Sequence, residues 1–165
     1  MELGEGFTGS GAEAAHVNTV LGRRDGSVGT AWATALASPS TGHAPFVVVL
    51  QPGLPVQPFT LFVNKAAIAG ERHAAITWGA AQAGIAAGVT DALTDGLFEG
   101  DGEPGTLALI AAVWVDPAAD DEALVAANNR EAVRAALALG RAGLPGVPDL
   151  RGRGGEAWNP FYRPG

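Results

Sequence analysis

Residues 14–21 (AAHVNTVL) alternate apolar and polar positions, the period-two signature of a half-buried strand, which puts His16 and Asn18 on one face. The run GRRDG at 22–26 has turn chemistry, and Ser27 stands where it can cap a helix over 28–37 that Pro39 ends. FVVVL at 46–50 is β-branched and predicts a buried strand. Three Pro and one Gly make 51–58 (QPGLPVQP) a stiff loop. Residues 60–68 (TLFVNKAAI) predict a strand that carries Lys65. A long Ala-rich helix follows over 71–94, softened by glycines in its middle, then a loop at 99–105 and a strand over 106–115. A last helix begins around 116–120 and runs to about Leu139, with Gly140 as its stop. The final 25 residues are rich in Gly, Pro and Arg and predict an extended tail. The order β-α-β-β-α-β-α is that of an α+β fold with helices packed on one sheet. No internal repeat and no second block of composition interrupts it, so residues 1–165 are expected to form one domain with its core at about 12–140.

Composition narrows the class. Hydrophobic residues are 47% and charged residues 16% of the 165, against roughly 25% charged in ordinary soluble domains. A disordered chain would need the opposite balance, and a coiled coil would need charged heptads. The absence of cysteine removes a disulfide framework and thiolate metal sites and fits a cytoplasmic location. The net charge of −7 leaves no basic face for a nucleic acid. The first ten residues carry no signal-peptide pattern. The uncharged stretch 74–90 falls short of the about 20 apolar residues a membrane span needs, and it contains Gln82, two Thr and three Gly. It reads as a buried or interface helix, so no membrane partner is expected.

Charge is distributed unevenly. Ten acids lie in 91–131 with Arg130 as the single base, while 26–70 holds one formally charged side chain, Lys65. That residue is also the only lysine, beside nine arginines. An arginine-biased composition leaves such a residue by accident. A site that needs a primary ammonium, a compact charge whose pKa moves when desolvated, selects it. The length of the charge-poor stretch also suits a subunit interface. Neither GxxxxGK[ST], GxGxxG nor GxSxG occurs. His16, His43 and His73 show no HxH or HxxxH spacing, so no metal site is expected. The pair at 120–121 is explained by a helix start, where acids are favoured. What remains is His16, Asn18, Lys65 and Gln82, the last an amide inside an Ala/Gly run that needs a partner.

At these residues the chain resembles the formaldehyde-activating enzymes. The likeness covers about 12–140 and is carried by EAAHVNTVLG at 13–22, GTAWATAL at 29–36, PGLPVQPFTLFVNKAAI at 52–68, WGAAQAGIAAGVTDALTDG at 78–96 and VWVDPAADDEALVAANNREA at 113–132. It implies a fold similar to the second domain of ribosomal protein S5, assembled as a homopentamer with a pterin between subunits. It implies condensation of formaldehyde with tetrahydromethanopterin to the methylene adduct and water, with no other cofactor. His16 falls on the family's proposed general acid. Lys65, Gln82 and Val47 fall on its pterin contacts.

Two positions depart from the family motifs. Ala-His-x-Asp reads Ala15-His16-Val17-Asn18, and Asn-Lys-x-Thr reads Asn64-Lys65-Ala66-Ala67. Asn18 keeps a hydrogen bond but not the charge, and Ala67 lacks the hydroxyl. The resemblance therefore admits an alternative: a non-catalytic or different-substrate homologue that binds a pterin or an aldehyde adduct. Lys65 can orient a ligand carbonyl or carboxylate, or trap formaldehyde as a Schiff base.

Overall fold

The computed structural model describes residues 1–100, 102–159, 162 and 163. Its order is β1 (Glu2–Thr8), β2 (Ala15–Arg23), α1 (Ser27–Ala37), β3 (Phe46–Val47), β4 (Val49–Gln51), β5 (Leu54–Pro55) and β6 (Phe59–Asn64), then α2 (Glu71–Ala75), α3 (Gln82–Thr94), β7 (Leu107–Trp114), α4 (Glu122–Ala142) and α5 (Val147–Leu150). A π-helical stretch, Ile76–Ala81, joins α2 to α3 without a break. Five strands form a mixed sheet in the order β1-β2-β7-β6-β3, and β4 and β5 pair as a separate hairpin. Only β6 and β7 run parallel, with the helices between them as the crossover. The α+β class expected from the sequence is thus present.

The two faces of the sheet differ. On one, Ala15, Val17 and Leu21 of β2, Leu109, Ala111 and Val113 of β7 and Phe62 of β6 pack with Ile85 and Val89 of α3 and Val125 and Val133 of α4 into a single core. Burial of such aliphatic surface, about 25 cal/mol per Å², is what holds the helices on the sheet. On the other face, α1 covers one end, where Val28 fills the space beside Gly22. The remainder of that face carries His16 and Asn18, whose register partners on β7 are Trp114 and Ala112.

Strand β1 lies ahead of every element expected from the pattern. Its inward positions are Gly4 and Gly6, so it shows no apolar alternation. The reason is contact. A Cβ on Gly4 would sit 1.8 Å from the carbonyl oxygen of Ala136, and one on Gly6 2.0 Å from that of Ala132. Helix α4 thus lies directly on the strand backbone, an approach only glycine permits.

Several expected boundaries are corrected. The cap of α1 is Gly26 rather than Ser27, which is the first helical residue. The strand at 46–50 divides between the main sheet and the hairpin, leaving Val48 fully buried and Leu50 half exposed. The proline loop at 51–58 contains β5 and a cis Gln57–Pro58 bond. The strand through Lys65 ends at Asn64, so Ala67 lies in a loop rather than on a strand face. Asp121 caps α4 by accepting from the Leu124 N–H at 2.9 Å. That helix runs through Gly140 and stops at Gly143, whose φ is 89°. The tail beyond it is short helical turns rather than wholly extended, and it is exposed.

Candidate active site

The site is built from the uncovered end of the sheet. Alternation along β2 turns Val17 and Thr19 into the core and His16 and Asn18 outward. Across the sheet, register sets Phe7, His16 and Trp114 in one row and Glu5, Asn18, Ala112 and Val63 in the next. The His16 ring meets Phe7 edge-on, with centroids 6.1 Å apart. Its Nε2 lies 2.6 Å from Glu5 Oε1. With the carboxylate as acceptor, Nε2 carries a hydrogen, and the bond orients the ring. A neutral Asn18 was expected to leave this histidine without a carboxylate. Strand β1 supplies one on the diagonal, from the position opposite Asn18.

Lys65 stands one residue past β6, and its backbone N–H continues the ladder by donating to Val113 O at 2.8 Å. Its side chain crosses β7 to donate from Nζ to Asn18 Oδ1 at 2.7 Å. The β7 residue opposite Asn18 is Ala112, whose small side chain leaves room for that crossing. Burial pushes the Lys65 ammonium below the usual lysine range, and the Glu5 charge opposes part of that effect. The bend that presents Lys65 is held by Asn64, which is buried and donates through Nδ2 to Gly42 O at 2.8 Å and Ala66 O at 2.7 Å. His43 Nδ1 reaches Asn64 O at 2.8 Å. The Asn-Lys pair therefore divides its work: the asparagine shapes the chain and the lysine faces outward.

Two hollows flank Glu5. One of about 500 Å³ is lined by Leu3, Glu5 and Asn18 and by Leu139, Leu144 and Pro145 at the end of α4. The other, about 300 Å³, is lined by Glu5, Phe7, Trp158 and Asn159. A hollow of about 350 Å³ between α3 and α4 holds the paired Asp95 and Arg134 and none of the residues named above.

The remaining candidates are placed separately. Val47 is on the same face as His16, in register with Leu61, but on the far edge strand. Gln82 opens α3, on the helix-covered side, where its Oε1 accepts from the Val49 N–H at 3.0 Å. Its expected partner is thus the backbone of the hairpin. Ala67 is exposed and packs near Gly42. His73 is buried and satisfied as a neutral ring, accepting from Ala69 N–H at Nδ1 and donating from Nε2 to Val115 O. Among the described residues no three metal-ligating side chains cluster, and no helix is long and apolar enough to cross a membrane. Glu5 is the site residue the sequence pattern missed. The signal was Glu5 and Phe7 at two-residue spacing, hidden because the inward positions that alternate with them are Gly4 and Gly6.

Residues 3–162 match the family model described as formaldehyde-activating enzyme. The chain is 36% identical over 159 residues to the 5,6,7,8-tetrahydromethanopterin hydro-lyase of Methanosarcina barkeri, covering 96% of this chain and 89% of that protein. It is 38% identical over 150 residues to the bifunctional enzyme Fae/Hps of Methanococcoides burtonii and 35% identical over 148 residues to that of Methanoculleus marisnigri. It spans 37% of the length of each of these two.

Proposed function

The chain belongs to the formaldehyde-activating enzyme family, and from that premise we propose that it condenses formaldehyde with tetrahydromethanopterin, or a related reduced pterin, to the methylene adduct and water. The observation that supports this most is the grouping of His16, Glu5, Asn18 and Lys65 on the sheet face that α3 and α4 leave open. One ring amine of the pterin adds to formaldehyde and gives a hydroxymethyl amine. His16 as general acid protonates the hydroxyl, which leaves as water. The second ring amine captures the iminium carbon and gives up its proton, returning His16 to its starting state. General acid catalysis of this kind contributes roughly a hundredfold to ten-thousandfold, and holding both reactants in one cleft adds to it.

In this reading Lys65 and Asn18 contact the pterin from one side. Val47 and Gln82, held elsewhere on the chain, complete the site from a neighbouring subunit of a homopentamer. An S5-like single domain and a cytoplasmic location belong to the same proposal. The test is the rate of condensation with tetrahydromethanopterin and, in parallel, tetrahydrofolate. An enzyme accelerates the first well above the spontaneous reaction. A second reading, a homologue that binds a pterin or aldehyde adduct without turnover, is favoured by Asn18 and Ala67. It predicts pterin binding with no acceleration.

A further inference from the structure

We propose that Lys65 captures formaldehyde covalently, its Nζ forming a C–N bond to the aldehyde carbon beside Asn18 and His16. The neutral amine adds to the carbonyl and gives a hydroxymethylamine. Protonation of the hydroxyl, with His16 as the acid in the adjoining row, releases water and leaves an iminium. A second amine that attacks this carbon displaces the lysine and carries the carbon away, so no oxidant or reductant enters. The inference rests on the proposed function for its aldehyde, and it adds a protein-bound stage to it.

Three observations carry it. The chain contains one lysine, and the fold turns it onto Asn18, two positions from His16 on the same strand face, rather than onto the solvated surface. The partner of Nζ is an amide oxygen, and among the described residues Lys65 forms no ion pair. A carboxylate in that place would hold the ammonium form. An amide accepts equally from an ammonium or from a neutral amine, whose lone pair stays available for attack. Finally, the side chain is half-buried, which disfavours the charged form. Among the described residues of these strands, the titratable groups on this face are Glu5 from β1, which opposes deprotonation, and His16 from β2. Strand β7 contributes Trp114 and Ala112, and β6 contributes Val63.

A single lysine makes the test direct, because cyanoborohydride traps the iminium as a methylated amine. The full-length protein is treated at pH 7 with limiting formaldehyde and cyanoborohydride, without pterin, and methylation of Lys65 is followed by peptide mass spectrometry. The same lysine in the guanidinium-unfolded chain is the reference. Folded protein should label about tenfold faster or more, because half-burial leaves a larger share of the amine neutral than in the unfolded chain. Asn18→Asp should slow labelling toward the unfolded rate. Asn18→Ser, which keeps a neutral oxygen, should remain fast and guards against a general loss of structure. A folded rate equal to or below the unfolded rate overturns the proposal, as does an Asn18→Asp protein that labels like the parent. Absence of pterin condensation with fast Lys65 labelling would refute the proposed function and leave this inference standing.

Discussion

His16 and Glu5 act as a pair on two antiparallel strands, so each tests the other. His16→Ala should lower the condensation rate about tenfold or more while assembly stays intact; a parental rate at neutral pH would remove it as the acid. Glu5→Gln keeps an acceptor at the ring and should recover most of the rate that Glu5→Ala loses. Equal losses in both would show that the charge, not the orientation, matters. Asn18→Asp has a different consequence from the one its motif suggests. The new carboxylate meets Lys65 Nζ, since the amide oxygen already lies 2.7 Å from it. It should raise the Lys65 pKa, readable from the single lysine side-chain resonance. Relative to the parent, in which burial depresses Lys65, the raised value adds stability that is complete below the parent's folded pKa and fades as pH rises through the variant's. Ala67→Thr adds only an exposed loop hydroxyl. The grouping of His16 and Asn18 was legible because alternation fixes which side chains share a face. Glu5 was not, because its strand hides between glycines. Nor was the pairing of Lys65 with Asn18, because the hydrogen bond spans 47 positions.

Glycine has opposite meanings at Gly6 of β1 and at Gly79 of the π-helical stretch. Gly6→Ala places a methyl within 2.0 Å of a helix carbonyl, so strand or helix must shift, at about 1–3 kcal/mol or more. Gly79 is exposed with no atom within 4 Å of an added Cβ. Gly79→Ala should be neutral or stabilising by up to about 1 kcal/mol. Denaturant melts of the two variants decide the matter, and a harmless Gly6→Ala would contradict the close approach of α4. Asp121→Ala should cost about 1 kcal/mol through the lost cap. The sequence announced β2, β7 and the two long helices, whereas β3 and β4 were merged because an unbroken β-branched run conceals the point where a strand changes sheets, and β5 was hidden inside the proline loop. The end of α4 was misplaced for a related reason. Gly140 is buried within the helix, close to the Leu3 backbone, and Gly143, with positive φ, is the true stop.

Surface composition bears on assembly. Leu50, Leu54 and Trp78 are exposed in or near the charge-poor stretch, and Leu144, Val147, Leu150 and Trp158 are exposed along the tail. The proposed assembly would cover apolar surface of this kind. Light scattering should report a homopentamer, and a stable monomer in dilute buffer would remove the between-subunit site. The α+β class was legible at this level because alternating periods reveal layers. The order β1-β2-β7-β6-β3 was not, since the parallel pairing of β6 with β7 joins strands separated by α2 and α3.

The π-helical stretch between α2 and α3 has a consequence for insertions and deletions. A π turn closes over one more residue than an α turn, and each helical residue advances the chain by about 100°. His73 on one side of Ile76–Ala81 is bonded to Val115, and Gln82 on the other is bonded to Val49. Removing one residue from the stretch would let it close as an ordinary α-helix with its two flanks still in phase. Closing it as α at its present length would instead turn one flank against the other by that angle, and the helix could then satisfy the histidine or the glutamine, but not both.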